Sequence, residues 1–380
     1  MIYFDNAATT MLKPPKVAQA VTCAIESFGG VGRGVHEASL DAGTTVFQAR
    51  QKLSDLFGAP GAKQVAFTSN ATEALNTVIC GLLRPGDHAV TTAASHNSVL
   101  RPLFRAEDAG MCEVSVVPIG GDGALDYGAF EAAFGPSTRL AVVTHASNLT
   151  GDVYDIARLA EIAHAHGALL VVDAAQTAGV IPIDMAAQGI DVLCFTGHKS
   201  LFGPQGTGGL VVVEDVEIEP LKVGGSGTHS YDRAHPSFMP ERLEAGTLNA
   251  HGIAGLLAGV TYIGEKGVDA IRSETQALAF RFLRGVCSVR GVRTYGGGGA
   301  DWTGIVALNI GDADSAVVAD MLVTTFGICT RAGAHCAPLM HEALGTDRQG
   351  AVRFSFSHFN TVDEVDAGIL AVRTIAEELV

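Results

Sequence analysis

An apolar run, Val192-Leu193-Cys194-Phe195, stops at Thr196-Gly197-His198, and a lysine, Lys199, follows before a glycine-rich tail. An ammonium group is costly to take out of water, so a lysine at the edge of a core strand needs an explanation. The ordinary one is a solvated lysine on a loop. The chemical one is an amine of lowered pKa that condenses with a carbonyl. Pyridoxal phosphate is the best-known cofactor for that chemistry, and it requires a carboxylate beside its pyridine nitrogen. Asp173, at the end of ALLVVD, can supply one, although an aspartate there could equally be a turn or cap residue.

The cofactor's phosphate also needs a cradle. FTSNATEALNTVICGLL reads as a strand end, a turn and a helix start, and Asn70-x-x-Glu73 has capping-box spacing. The amides of Ala71 and Thr72 then sit at a helix N-terminus, which attracts anions. Glu73 suits that role only if it turns back onto its own cap.

RAGAHCAPLM surrounds Cys336 with Ala, Gly and Pro, a loop composition that points to a reactive thiol rather than a packed one. A metal site on His335 and His341 lacks Asp or Cys co-ligands and is set aside. In an extended loop His335 would point away from Cys336, because successive side chains alternate. VRFSFS alternates too: Arg353, Ser355 and Ser357 share the face opposite Val352, Phe354 and Phe356, and can line a site.

These residues need elements to position them. AVVTH, ALLVVD, DVLCFT and GGLVVV read as buried strands, and DIARLAEIAHAHG as a helix capped by Asp155 and stopped by Gly167. Strands alternating with helices, without polar alternation, imply βαβ units and a mostly parallel sheet covered on both faces. Ligands bind beyond the carboxyl ends of such strands. His145, Asp173 and the Thr196–Lys199 run all fall there. A long helix from about Ala250 leads into an α+β tail: a helix near Ser273 to Val286, strands at TGIVALNI and VRFSFS, and helices from Ser315 and Asp363. Gly296 to Gly299 reads as a loop. The division expected is a large domain over 15–255 and a small one over 256–380, with 1–14 packed against it.

The chain has 380 residues, 47% hydrophobic and 17% charged, enough for two cores and unlike a disordered composition. The net charge of −15, with no basic stripe, argues against nucleic acid as a partner. No apolar run reaches membrane-span length, so no membrane partner is expected. The N-terminus does not read as a signal peptide, and the seven scattered cysteines lack C-x-x-C pairs, which fits a reducing, cytoplasmic setting.

FTGHKSLFGPQGTGGL resembles the cofactor-lysine segment of class V aminotransferase-fold enzymes, and in detail that of the cysteine desulfurases. The likeness extends through YFDNAATT, GVGRGVHEAS, TSNATEALN, SHNSVL, SNLTG, VVDAAQTAG, EAGTLN, RAGAHCAPLMHEALG and VRFSFSHFNT, in the family's order. The R-x-G-x-H-C-A loop resembles the desulfurases related to selenocysteine lyases, whereas YFDNAATT resembles the branch with a long, mobile cysteine loop. Ala334 stands where the short-loop group often has a second histidine.

The resemblance implies pyridoxal phosphate fold type I: a large domain with a mostly parallel sheet flanked by helices, and a smaller α+β C-terminal domain. It implies that Lys199 holds the cofactor as an imine, Asp173 pairs with the pyridine nitrogen and Gln176 bonds the phenolic oxygen. His96 would stack on the ring, and Asn148 would lie near that oxygen and the substrate carboxylate. Ala71, Thr72, Thr196 and His198 would hold the phosphate. Thr247 would reach the phosphate of a partner subunit, making a homodimer. Arg353 would clamp the substrate carboxylate through two parallel bonds. Cys336 would take the sulfur of L-cysteine as a persulfide and pass it to an acceptor protein. Arg33 and His36, ranked below these, would border the substrate site. The alternatives are a selenocysteine lyase acting on L-selenocysteine, another C–S lyase, or a class V aminotransferase, which has no use for Cys336. A non-catalytic binding or sulfur-carrier protein would not need Lys199, Asp173, Cys336 and Arg353 together.

Overall fold

A computed structural model describes residues 1–32, 34–296 and 301–380, so Arg33 and most of the Gly296–Gly299 loop lie outside the described residues. Strand β1 (Ile2–Tyr3) opens the chain. Then come β2 (Val65–Thr68), β3 (Asp87–Thr92), β4 (Cys112–Val117), β5 (Thr138–Thr144), β6 (Leu169–Asp173), β7 (Val192–Thr196) and β8 (Gly208–Val212). These last seven form one sheet in the order β2-β8-β7-β6-β5-β3-β4. From β4 to β7 every pairing is parallel, and only β8 runs against its neighbours.

Both faces of this sheet are buried across its central strands β5 to β8, which is why these carry no regular polar alternation. Val143, Val172, Leu193 and Phe195 point into one core, and Val142, Val171, Val192 and Cys194 into the other. The register pairs Thr144 with Asp173 and Asp173 with Cys194, so the carboxyl ends of β5 and β6 lie level and β7 runs two residues further, to Thr196. From β5 the strand order runs one way through β6 to β7 and the other way through β3 to β4. A ligand crevice is expected where that order reverses. The loops after β3 and β5 carry His96 and Asn148.

The C-terminal part holds a four-stranded antiparallel sheet of β9 (Val292–Tyr295), β10 (Ile305–Ile310), β12 (Arg331–Gly333) and β13 (Ala351–Ser355), in the order β12-β13-β10-β9. Strand β11 (Ile328–Cys329) pairs instead with β1. That pairing carries Phe4 into a cluster with Phe282, Phe354 and Phe356, where its burial is worth about 1.5–3 kcal/mol. The long helix Ala250–Lys266 starts at the expected residue, capped by the Asn249 side chain. The next helix, Val268–Val286, begins several residues before Ser273, because Gly267 with φ 87° breaks the chain and allows an immediate restart. Among the described residues no helix is long and apolar enough to cross a membrane.

Candidate active site

Asn70, Ala71, Thr72, His96, Ser98, Thr144, Asn148, Asp173, Ala175, Gln176, Thr196, His198 and Lys199 line one pocket beyond the strand ends, with about 480 Å³ of open space. Nine of the site residues expected from the sequence meet there. Asp173 is buried, and its Oδ1 accepts from the Ala175 amide at 2.9 Å. Burial holds its pKa above the usual carboxylate range, against the Ala175 hydrogen bond and Lys199. Desolvation brings Lys199 down to about 8; Arg353 and Arg331 push the same way, and Asp173 opposes them.

Helix Ala71–Leu82 brings its N-terminus to the pocket, and the Asn70 side chain accepts from the Glu73 amide at 3.0 Å. Glu73 does not complete a capping box. Its carboxylate accepts from the Ser69 amide at 2.8 Å and pairs with Lys222. Lys222 compensates its charge, so the first turn keeps its affinity for an anion.

His96 caps helix Asn97–Asp108: its Nδ1 accepts from the Ser98 amide at 3.0 Å. The ring proton is therefore on Nε2. Burial and the nearby cations hold His96 neutral, with a pKa near 4. Ser98 also bonds Thr72 Oγ1 at 2.8 Å, joining the two helix starts. His198, likewise lowered to about 4 by burial, lies 3.1 Å from Thr9 Oγ1 through Nδ1. Its carbonyl accepts from Lys13 Nζ at 3.3 Å. Gln176 donates to the Ala7 carbonyl at 3.2 Å. The N-terminal segment thus closes over one side of the pocket.

Asn148 links the pocket to two other residues. Its Nδ2 donates to the His335 carbonyl at 2.7 Å, and its own carbonyl accepts from Arg353 Nη1 at 2.8 Å. Arg353 is fully buried, and its Nη2 meets Asp5 Oδ1 at 3.0 Å. The Cys336 carbonyl accepts from the Asn97 amide at 2.8 Å, beside His96. The Cys336 loop is not extended: His335 and Cys336 adopt φ of 52° and 57°. This left-handed turn buries His335 and exposes Cys336.

His36 and Thr247 lie elsewhere. His36 is exposed, folds back on Gly29 and Gly34, and bonds Ser39 Oγ at 3.2 Å. Thr247 lines a separate cavity with Gly206, Thr207, Gly208 and Lys222. Glu244 pins that segment to β2 by accepting from the Phe67 amide and pairing at both oxygens with the buried Arg50. Three residues without an assigned role from sequence also line the pocket, Ser98, Thr144 and Ala175, and a fourth, Asp5, pairs with Arg353. Only Ser98 has a local signal, as the second residue after a helix cap.

The pocket fits pyridoxal phosphate. Asn148 Oδ1 and Thr196 Oγ1 are buried in its lining without hydrogen-bond partners, and such atoms call for a polar ligand. A buried carboxylate faces a lysine of lowered pKa, and a helix N-terminus completes the wall. Among the described residues no group of three or more His, Cys, Asp or Glu could hold a metal ion.

This fold and site define a class: α/β enzymes that place a lysine and a carboxylate at the carboxyl edge of a mostly parallel sheet. Residues 2–367 match the aminotransferase class-V family, and the chain belongs to it. A probable cysteine desulfurase of Methanothermobacter thermautotrophicus is 36% identical, over 96% of this chain and 92% of that one. The apo structure of a cysteine desulfurase from Thermococcus onnurineus superposes with a TM-score of 0.93 at 33% identity, covering 100% of this chain and 95% of that one. The cysteine desulfurase CsdA of Escherichia coli, in an S-sulfonic acid form, follows at 0.88 and 30%, covering 100% and 95%.

Proposed function

We propose that the protein is a pyridoxal-phosphate-dependent cysteine desulfurase that converts L-cysteine to L-alanine and leaves the sulfur as a persulfide on Cys336. The observation that carries this reading is Asn148, which lines the lysine pocket with an unpartnered Oδ1 and holds the Cys336 loop through its Nδ2. Bound pyridoxal phosphate supplies an electron sink at the substrate Cα.

The chain's own residues do the rest. Lys199 Nζ anchors the cofactor, and as a free amine it takes the Cα proton. Asp173 stabilises a proton on the pyridine nitrogen, Gln176 bonds the phenolic oxygen, and His96 covers the ring as a neutral imidazole. Ala71, Thr72, Thr196 and His198 hold the phosphate. Arg353 and Asn148 orient the substrate carboxylate. The Cys336 sulfur attacks the substrate sulfur, the substrate C–S bond breaks with its electrons going to carbon, and the carbon is protonated. One cysteine and one thiol become one alanine and one persulfide.

Thr247, which lines a cavity separate from its own chain's lysine pocket, supports a homodimer in which it completes the partner's phosphate site. The division into 15–255 and 256–380 with 1–14, a cytoplasmic setting and a sulfur-accepting protein partner complete the proposal. The test is incubation with L-cysteine and a reductant. Equal amounts of alanine and sulfide are expected; pyruvate, or alanine without sulfide, overturns the reading.

A further inference from the structure

Two histidines the reaction does not use lie directly behind Cys336. His335 and His341 are both buried, with rings parallel to within 10°. His335 Nε2 lies 3.1 Å from the Arg331 carbonyl, His335 Nδ1 lies 3.4 Å from His341 Nε2, and His341 Nδ1 lies 2.7 Å from Thr346 Oγ1.

Only one proton arrangement keeps both rings neutral and makes all three contacts hydrogen bonds. A carbonyl can only accept, so His335 carries its proton on Nε2 and Nδ1 is an acceptor. His341 must then donate from Nε2, which leaves its Nδ1 to accept the Thr346 hydroxyl proton; at 2.7 Å it is the nearer of that hydroxyl's two acceptors, the other being the His341 carbonyl at 3.4 Å. Reversing the Thr346 bond would either cost the His335–His341 bond or make His335 an imidazolium. Burial and Arg353 oppose that, lowering His335 to about 3, and burial lowers His341 as well. The wire therefore runs in one direction, from Thr346 through His341 and His335 to strand β12.

That strand pairs Arg331 with Arg353. One end of the wire is thus fixed to the strand beside the buried arginine. The other end lies in helix Pro338–Leu344 and the turn after it, immediately past Cys336. Between them stand two consecutive non-glycine residues in left-handed backbone, a conformation that persists only where surroundings impose it. The other restraints on the turn act on its backbone: Asn148 donates to the His335 carbonyl, the Asn97 amide to the Cys336 carbonyl, and the Ala337 amide closes the turn onto the Ala334 carbonyl at 2.9 Å. The wire is the restraint that acts through a side chain.

We propose that His341 is a positioning residue: through His335 it holds Cys336 in the left-handed turn that presents its sulfur to the substrate. This rests on the desulfurase reading above, in which Cys336 receives the sulfur.

The test uses the cofactor-loaded enzyme with His341→Leu, which removes the donor, and His341→Gln, whose amide nitrogen can replace Nε2. The expected result for Leu is a roughly tenfold fall in kcat for alanine release, with KM and the cofactor absorbance unchanged. Exchange of the Asn97 amide hydrogen, donated to the Cys336 carbonyl, should quicken by a similar factor. Gln should restore both to within about threefold. Wild-type kcat and exchange in the Leu variant overturn the proposal, and so does a Gln variant as impaired as Leu with intact fold. Should His341→Leu fail to fold, Thr346→Val removes only the last donor, and unchanged exchange at Asn97 in that variant overturns the proposal. Cys336→Ala is the separating control. If it keeps full alanine and sulfide output, the persulfide role of Cys336 in the desulfurase reading fails, and the positioning claim is then judged on Asn97 exchange alone.

Discussion

Lys199 and Asp173 sit at the ends of strands buried on both faces, whereas Cys336 stands exposed on a turn after the three-residue strand β12. The first region removes water from charged groups. Its histidines are neutral, its lysine is brought down to about 8, and its carboxylate is raised. The second keeps its reactive atom in the open and buries the support behind it. The difference follows from the chemistry proposed for each. Proton transfer at carbon gains from a dry, preorganised site, whereas sulfur handed to another protein must be reachable. Asn148 joins the two regions.

The largest effects should come from removing the reactive group of either region. Lys199→Ala and Cys336→Ala should each lower alanine formation by about 10²–10⁴-fold or more. They should differ in the cofactor absorbance, which is lost in the first and kept in the second. Identical spectra in the two variants would break the comparison.

The frame around the pocket should be more sensitive than the Cys336 loop to loss of a buried charge. Glu244→Ala leaves Arg50 buried and unpaired and should cost about 3–5 kcal/mol, measured by denaturant unfolding of the cofactor-free protein. A cost below 1 kcal/mol would mean that water reaches Arg50.

Arg353→Lys keeps the charge and loses the planar fork. It should raise KM for cysteine about 10–100-fold, the equivalent of one or two charge-assisted bonds, while kcat falls less. A fall in kcat alone would assign Arg353 to the Cys336 loop rather than to substrate binding.

The gentlest probe is pH. The rate of cofactor loading depends on neutral Lys199. Because burial lowers its pKa, that rate should climb with pH and level off near 8 rather than near 10.5. A climb continuing past pH 10 shows a solvated lysine and removes the contrast between the two regions.

Much of the pocket was legible in the chain because its signals are local. A strand that stops at Asp173 or Thr196 places those residues at a carboxyl end, and Asn70 and Asp155 cap helices from a few positions away. Glu73 was legible as a cap-proximal acid but not as the partner of Lys222, 149 residues on. The Cys336 loop was less legible. Small residues marked it as a turn, yet the expected extended backbone gave way to a left-handed one, and two of its bonds, from Asn97 and Asn148, come from segments distant in the chain.

The order of residues settles what is local: the strands and helices, their caps, and which side chains sit at strand ends, since these follow from hydrogen bonding and side-chain period over a few residues. It also supplies the residue types on which the proposed chemistry rests, Lys199, Asp173, Cys336 and Arg353. What pairs with them comes from packing. Asp5 reaches Arg353 across 348 residues, and Asn148 reaches Arg353 and His335 across 205 and 187. No periodicity spans such distances. They close only when burial of Phe4 and the two sheet faces brings those segments together.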